Sequence, residues 1–576
     1  MKQLLLGNEA LARGAWEAGV TVATAYPGTP STEITENIAK YEDIYAEWSP
    51  NEKVAMEVAI GSSIGGARSL VCMKHVGLNV AADPLFTVSY TGVRGGLVIV
   101  VADDPGMHSS QNEQDSRYYA LSAHIPMLEP SDSQECLDFV KLAFEISEQY
   151  DTPVFIRLTT RVAHSRSAVE VFGRVEVPCK SYEKNVNKYV MMPAMARARH
   201  PVVEARMATL GKAANGHHCN VLIPGSKCLG IISSGIAYQY AAEAVPNASF
   251  LKLGMVYPLP MDQIKAFAST VDQLVVIEEL EPFIENALRA EGIACIGKEC
   301  FSVLGEYTVR GIRTALGEAN PEDKAPAPDL PSRPPVMCPG CPHRGVYYVL
   351  SKLKLTVCGD IGCYTLGALP PLASMDASVC MGASIGMALG MEKARGRDFA
   401  KKLVAVIGDS TFIHSGITGL VDVVYNGGNT TVLILDNSTT GMTGHQNHPA
   451  TGKGIRGSDA PQLSLEAVCK AVGVENIQVT DPFQLEHMEK SIQHALEHEG
   501  PSVVIVRSPC ALLSKNSKSA SYEAQKDKCK YCKRCLKIGC PAIVDKGDRV
   551  EIQPTLCTGC GLCADLCAFQ ALQPQR

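Results

Sequence analysis

Apolar residues recur at helical spacing from Asn8 to Glu17, whereas the short β-branched runs Leu97–Val101 and Val154–Leu158 are apolar throughout and flanked by Gly and Pro turns. A strand with no polar face has no solvent side. Such strands alternating with amphipathic helices predict an α/β fold whose parallel sheet is covered on both faces. Residues 1–185 read as one unit of this kind. From 186 to 224 the pattern weakens into a Met-, Ala- and base-containing stretch that reads as a connector. A second α/β unit follows at 225–317, with strands beginning at Leu229 and spanning Leu274–Ile277. The proline-rich, apolar-poor stretch Glu318–Pro335 predicts an extended linker. A third α/β unit at 336–515 has strands at Leu403–Ile407, Thr431–Leu435 and Val503–Val506. The polar tract Ser514–Lys528 then leads into a cysteine-rich tail at 520–576.

Composition narrows the classes. A chain of 576 residues is too long for one core, and 46% apolar with 20% charged residues describes an ordinary globular protein. The net charge of -7, with Lys and Arg scattered, leaves no basic footprint for nucleic acid or an anionic membrane surface. No apolar run reaches the roughly 18 residues of a membrane span. The opening MKQLLLGNEALARGAWEAG lacks a cleavage pattern, so the expected location is cytoplasmic. In that compartment 22 cysteines do not form a disulfide framework. Those spread singly, such as Cys72 and Cys380, read as small buried hydrophobes.

The tail repeats one pattern: Cys529, Cys532, Cys535 and Cys540 before Pro541, then Cys557, Cys560, Cys563 and Cys567. Thiolates two residues apart on a turning backbone grip one cluster, and the remote fourth ligand comes from the other repeat. Cys529, Cys532, Cys535 and Cys567 therefore group around one 4Fe-4S cluster, and Cys557, Cys560, Cys563 and Cys540 around a second. A zinc ribbon is the competing reading, but it needs only paired C-x-x-C. The tail resembles a bacterial two-cluster ferredoxin. It departs in the four residues between Cys535 and Cys540 and in the absence of proline after Cys567.

In the third unit Gly408-Asp409-Ser410 ends one strand and Asp436-Asn437-Ser438 ends the next, with an Asn426-Gly427-Gly428 turn between them. A crossover connection puts both groups at the carboxyl ends of parallel strands, where open α/β sheets bind ligands. Mg²⁺ favours a few protein oxygens together with phosphate oxygens, and Asp409, Asn437 and the carbonyl of Thr439 would supply them. The glycines of Met381–Gly390, Gly382 first among them, would let backbone amides approach a diphosphate. Gly-Asp-Ser alone is a common strand-end turn. Combined with Asp-Asn at this separation, and with Gly408, it resembles the thiamine diphosphate motif.

With both cofactor patterns placed, nearly the whole chain resembles the 2-oxoacid:ferredoxin oxidoreductases, and most closely the α subunits of their indolepyruvate branch. Tyr26-Pro27-Gly28-Thr29-Pro30-Ser31 looks like the family loop that places Thr29 near a substrate carboxylate. Cys338-Pro-Gly-Cys341-Pro-His343 and Asp360-Ile-Gly-Cys363 look like the start of the diphosphate-binding domain. The resemblance implies a multidomain α/β fold. Its parts are a thiamine pyrimidine-binding domain (1–185), a transketolase C-terminal-like domain (225–317), a thiamine diphosphate/Mg²⁺ domain (336–515) and a ferredoxin-like domain (520–576). Glu52, in NEKVAMEVAIGSSIGGAR, is the expected acid on the aminopyrimidine; Glu57 competes, and either could be a solvated helix glutamate. Cys338, Cys341, Cys363 and Cys510 match a further cluster in related enzymes, although zinc or free thiols, Cys358 included, would use the same residues.

The resemblance also carries the functional expectation. An aryl 2-oxoacid of the indole-3-pyruvate or phenylpyruvate type would be oxidatively decarboxylated to the aryl-acetyl-CoA, with CO₂ released and ferredoxin reduced. A smaller β subunit, coenzyme A and an (αβ)₂ assembly belong to the same expectation. Pyruvate-specific relatives carry an arginine where this chain has Asp103-Asp104-Pro105-Gly106, which argues for a different pocket. His75, expected to be catalytic, and His343 and His445 are polar groups for the cleft or satisfied structural histidines. The rivals are a phenylglyoxylate-, sulfopyruvate- or pyruvate-type enzyme, a non-oxidative thiamine decarboxylase, and an electron-transfer subunit with a vestigial α/β body.

Overall fold

A computed structural model describes residues 1–320, 331, 334–513 and 520–575. Most of the expected linker (321–330, 332 and 333) and the start of the polar tract (514–519) lie outside the described residues. The chain forms two compact units, 1–326 and 327–576. Among the described residues no helix is long and apolar enough to cross a membrane.

In the first unit a seven-stranded sheet runs Met255–Tyr257, Met127–Leu128, Val154–Thr159, Leu97–Asp103, Ser69–Lys74, Val22–Ala25, Tyr45–Trp48. All neighbours are parallel except Met255–Tyr257. Val154–Thr159, Leu97–Asp103 and Ser69–Lys74 are buried at every position, which is why their sequence shows no alternation. A second sheet runs Leu274–Ile277, Ser226–Ser234, Ala248–Leu253, Val221–Ile223, the last antiparallel. Buried charge joins the two sheets. Arg157 bonds Asp103 at 2.7 Å and also Glu129, while Arg117 bonds Asp115 and Glu278 at 2.5 Å each. Glu129 in turn accepts from Ser234 Oγ at 2.8 Å.

The stretch read as a connector contains a 22-residue helix, Pro193–Ala214. It escaped the sequence pattern because it has no continuous apolar stripe. An arginine occupies an inward position among Val203, Met207 and Leu210: Arg206, buried, donates to the carbonyls of Ser89 at 2.8 Å and Asp151 at 2.9 Å.

In the second unit a five-stranded, all-parallel sheet runs Thr356–Cys358, Leu403–Gly408, Thr431–Asp436, Ser502–Arg507, Asn476–Thr480. Gly408 pairs with Leu435 in the register, so Asp409 and Asn437 leave adjacent strands at the same edge. The tail is built on two antiparallel pairs, Tyr522–Ala524 with Leu572–Pro574 and Ile543–Asp545 with Val550–Ile552. Its own core is small, around Cys535, Val550 and Leu572. The scattered cysteines divide: Cys72 is buried, its thiol pushed up to about 12 by desolvation, but Cys380 is exposed. Cys380 differs because it sits in a turn rather than on a core strand.

The charge network yields a pH prediction. Glu279 is 5% exposed and accepts from Tyr307 N at 2.9 Å. Burial pushes its carboxyl up to about 7, with Tyr307 N–H and Arg157 opposing. The folded state then holds this proton more tightly than the unfolded chain, so stability falls as pH rises from roughly 4.5 to 7 and stays lower above that. Glu279→Gln, which keeps the acceptor without the charge, should stabilise the protein at pH 8 by about 3 kcal/mol and flatten the decline below pH 7. Unfolding midpoints measured from pH 5 to 8 check this. Parallel profiles for wild type and variant would contradict it.

Candidate active site

Asp409 follows the strand Leu403–Gly408 and is 2% exposed. Its Oδ1 accepts from Ser410 N at 2.8 Å and its Oδ2 from Ser438 N at 2.9 Å, which ties the two strand ends together. Burial pushes this carboxyl up, and His448, whose Nε2 stands 3.2 Å from Oδ2, pulls it down. His448 is itself buried, and neither ring nitrogen makes an aligned hydrogen bond. On the neighbouring strand end Ser438 adopts φ 59, a left-handed conformation costly for serine, held by Asp436 Oδ1 at 3.2 Å. Asn437 and Thr439 flank it, both buried, and Thr439 N donates to Asn437 Oδ1 at 3.4 Å. An all-oxygen donor set of this kind suits a hard divalent cation, and His448 stands beside it with its Nε2 against Asp409.

The glycine-rich turn differs from expectation. Gly382, at φ 86, backs onto Ser415 so closely that a Cβ would fall 1.8 Å from its Oγ. Its amide and that of Ser384 are not open to a diphosphate: they donate at 2.7 and 3.0 Å to Asp360, which is fully buried. A desolvated carboxylate needs donors, and the start of the helix Ser384–Arg395 supplies them. Gly408 packs against the ring of Tyr364, which also carries His343 edge-on at 5.8 Å. His343 is 3% exposed and burial pushes its ring down to about 4, so it is a neutral structural histidine.

Cys338, Cys341, Cys363 and Cys510 gather beside the loop that follows Asn437. Burial pushes the thiols of Cys341 and Cys363 up to about 12 and about 11. Cys338 and Cys363 both act on Cys341, and Cys510 and Cys338 on Cys363, each raising the thiol further. A Cβ on Gly441 would lie 3.4 Å from Cys363 Sγ and 3.8 Å from Asn437 Nδ2, so this quartet adjoins the Asn437 loop. Cys510 Sγ lies 4.0 Å from His445 Nε2. Cys358 stands apart, packed in the core with its Sγ 3.6 Å from Met391 Sδ.

The tail cysteines lie close enough to act on one another. Cys567, Cys532 and Cys529 each push the Cys535 thiol up, and Cys560, Cys540, Cys557 and, least among them, Cys535 do the same to Cys563. Backbone amides reach two of the sulfurs: Tyr522 N at 3.4 Å from Cys557 Sγ and Ala571 N at 3.3 Å from Cys567 Sγ. Among the described residues no three His, Cys, Asp or Glu side chains converge tightly enough to hold one metal ion.

In the first unit Glu52 opens the helix Glu52–Ile64 behind the Asn51 cap, whose Oδ1 accepts from Val54 N at 2.9 Å. It is buried, and its carboxyl lies against Gly77, where a Cβ would fall 2.6 Å from Oε1. Glu57 is the solvated alternative, exposed and paired with Lys53. Thr29 lies in a loop fixed by Ser31 N to Gly28 O at 2.8 Å and by Asn8 Nδ2 to Pro30 O at 2.8 Å. His75 is fully buried, with Nε2 3.3 Å from Asn112 O, and burial pushes its ring down.

Asp103 and Asp104 prove to be anchors. Asp103 holds Arg157 and Ser116, while Asp104 accepts from Ser109 N at 2.8 Å, Ser110 Oγ at 2.6 Å and Thr160 Oγ1 at 2.7 Å. The cation beside the Thr29 loop is Lys74, which sequence reasoning passed over. It packs behind Gly28, donates to Ser109 O at 2.6 Å, and is pushed down to about 8 by burial. His448 was missed as well. A single His in a loop carries no spacing signal, and only the chain fold brings it to Asp409.

Comparison with known proteins finds a thiamine-binding region in each of the two units. Residues 13–218 match the pyruvate flavodoxin/ferredoxin oxidoreductase thiamine diphosphate-binding model, and 360–506 match the C-terminal TPP-binding domain of thiamine pyrophosphate enzymes. The chain is 40% identical to indolepyruvate oxidoreductase subunit IorA of Archaeoglobus fulgidus, covering 100% of this chain and 98% of that one. It is 42% identical to the subunit of the same name from Methanothermobacter marburgensis, over 99% and 97% of the two chains. The Pyrococcus horikoshii subunit is 40% identical over 100% and 97%. With both thiamine-binding regions matched and relatives aligned end to end, this chain is a thiamine diphosphate-dependent oxidoreductase subunit and belongs to the indolepyruvate oxidoreductase subunit IorA family.

Proposed function

We propose that this chain catalyses the oxidative decarboxylation of aryl 2-oxoacids of the indole-3-pyruvate type. The acid and coenzyme A become the aryl-acetyl-CoA and CO₂, the carboxyl and thiol protons are released, and two ferredoxins each take one electron. One observation carries the reading: a single compact unit holds an oxygen-donor loop at Asp409, Asn437 and Thr439 together with three cysteine quartets, one adjoining that loop. End-to-end likeness to the IorA relatives supports the aryl substrate.

Bound thiamine diphosphate supplies the carbanion that attacks the 2-oxo carbon and the ring that accepts the electron pair left as CO₂ departs. Asp409, Asn437 and the Thr439 carbonyl would hold Mg²⁺ against its diphosphate, with His448 donating to a phosphate oxygen. Glu52 would exchange a proton with the pyrimidine nitrogen, its position set by the Asn51 cap and the contact with Gly77. Thr29 would orient the substrate carboxylate. Cys338, Cys341, Cys363 and Cys510 would hold the 4Fe-4S cluster that first takes electrons. The two tail quartets would hold the clusters that pass them to ferredoxin. A smaller β subunit would complete an (αβ)₂ assembly, and the chain would divide into domains at 1–185, 225–317, 336–515 and 520–576.

Three measurements test this. Purified with its partner, the enzyme should reduce a low-potential dye given indole-3-pyruvate and coenzyme A, and pyruvate should be a poor substitute; preference for pyruvate would overturn the aryl assignment. Asp409→Ala should lose bound thiamine and magnesium together, whereas Glu52→Gln should keep both and lose turnover by roughly 10²- to 10⁴-fold. Thiochrome and metal analysis beside the dye assay separate the two, and cofactor retention in Asp409→Ala would contradict the metal site. Anaerobically purified protein should carry about 12 irons per chain, and Cys363→Ser about four fewer. A wild-type count near eight would leave the Cys338 quartet without a cluster.

A further inference from the structure

Four backbone carbonyls converge on one buried guanidinium in the second unit. Arg344 is 3% exposed; its Nε donates to Cys338 O at 3.0 Å, its Nη1 to Ile538 O at 3.2 Å and Gly539 O at 2.5 Å, and its Nη2 to Met337 O. Two of these acceptors lie at the start of the Cys338–Cys341 loop, and two immediately precede Cys540. One side chain is thus fastened to the loops of two different cysteine quartets. The loops also touch directly, since a Cβ on Gly340 would fall 2.2 Å from Oγ1 of Thr558, the residue after Cys557.

The charge around this side chain is the telling feature. Two of the other buried arginines are paired with carboxylates, Arg117 with Asp115 and Glu278 and Arg157 with Asp103 and Glu129, and the third, Arg206, donates to carbonyls but has the Asp151 carboxylate acting on it. Among the described residues no Asp or Glu forms an ion pair with Arg344. The groups of acidic character that face it are the thiols of Cys540, Cys341, Cys338 and Cys560. Carbonyl dipoles solvate a cation without neutralising it, and a buried ion with no counter-charge is costly. Thiolate-ligated clusters carry net negative charge, so a cluster on each side would supply what is missing.

We propose that Arg344 is a positioning residue and shared counter-ion between two clusters, one held by Cys338, Cys341, Cys363 and Cys510 and the other by Cys540, Cys557, Cys560 and Cys563. The inference rests on reading those quartets as cluster sites. Each transfer oxidises the first cluster by one electron and reduces the second by one, with no bond made or broken. Reduction adds negative charge next to Arg344, so the guanidinium favours the reduced form on either side and raises both potentials. No thiol of the third quartet, Cys529, Cys532, Cys535 and Cys567, stands among those that act most strongly on Arg344, and its cluster is the internal reference.

The test is a redox titration followed by low-temperature magnetic resonance on the anaerobic complex, comparing wild type, Arg344→Lys and Arg344→Gln. In Arg344→Gln the midpoints of the two facing clusters should move to more negative potential while the control cluster stays in place. Arg344→Lys, which keeps the charge but cannot reach all four carbonyls, should shift them less. Unchanged midpoints, or an equal shift of every cluster as in general loosening, would overturn the proposal. If Arg344→Gln fails to fold, Arg344→Met, which also removes the charge, takes its place: a selective negative shift supports the role and no shift refutes it. Wild-type iron content reports separately on the underlying reading. With only two clusters present, a shift of the Cys540 cluster still supports the counter-ion and its absence overturns it.

Discussion

Acidic groups crowded together out of water are the constraint around which the second unit is organised. At the carboxyl edge of its sheet Asp409, Asp360 and the thiols of Cys341, Cys363 and Cys510 are all held in the protonated direction by burial. Each would ionise readily in the presence of a cation that shares the site, since metal binding releases protons from its ligands. The parallel sheet is what makes the crowding possible. Strands buried on both faces deliver their last residues to one edge, and paired registers place Asp409 and Asn437 side by side.

Charge burial is handled differently in the first unit. There the carboxylates of Asp103, Asp115, Glu129 and Glu278 meet two arginines directly, and the network ties one sheet to the other without calling for a ligand. The cost of taking such charges out of water offsets much of their attraction, so these pairs add little net stability. The same unit keeps Glu52 sheltered at a capped helix start, while Glu57, five residues on, is left to solvent.

Much of this was legible in the residues. Buried strands announce themselves by unbroken apolar runs, cysteine triplets by spacing, and the strand-end acids by their position after a β-branched run. The helix Pro193–Ala214 was not legible, because Arg206 takes a core position that pattern reading assigns to solvent. Nor was the closure of Asp360 on Gly382 and Ser384, which turns the expected phosphate cradle inward; a glycine-rich turn shows that amides can be approached, not by what. His448, Lys74 and Arg344 share one reason for being missed. Each acts through partners remote in sequence, such as Arg344 with the carbonyls of Ile538 and Gly539.

The account's central claim is that carbon chemistry at the coenzyme and one-electron carriers are coupled within this polypeptide. Rapid freezing of the complex after mixing with indole-3-pyruvate, followed by magnetic resonance at low temperature, addresses it directly. Signals of reduced 4Fe-4S clusters should grow as CO₂ appears and before any external acceptor is added. Release of CO₂ with every cluster remaining oxidised would contradict the claim.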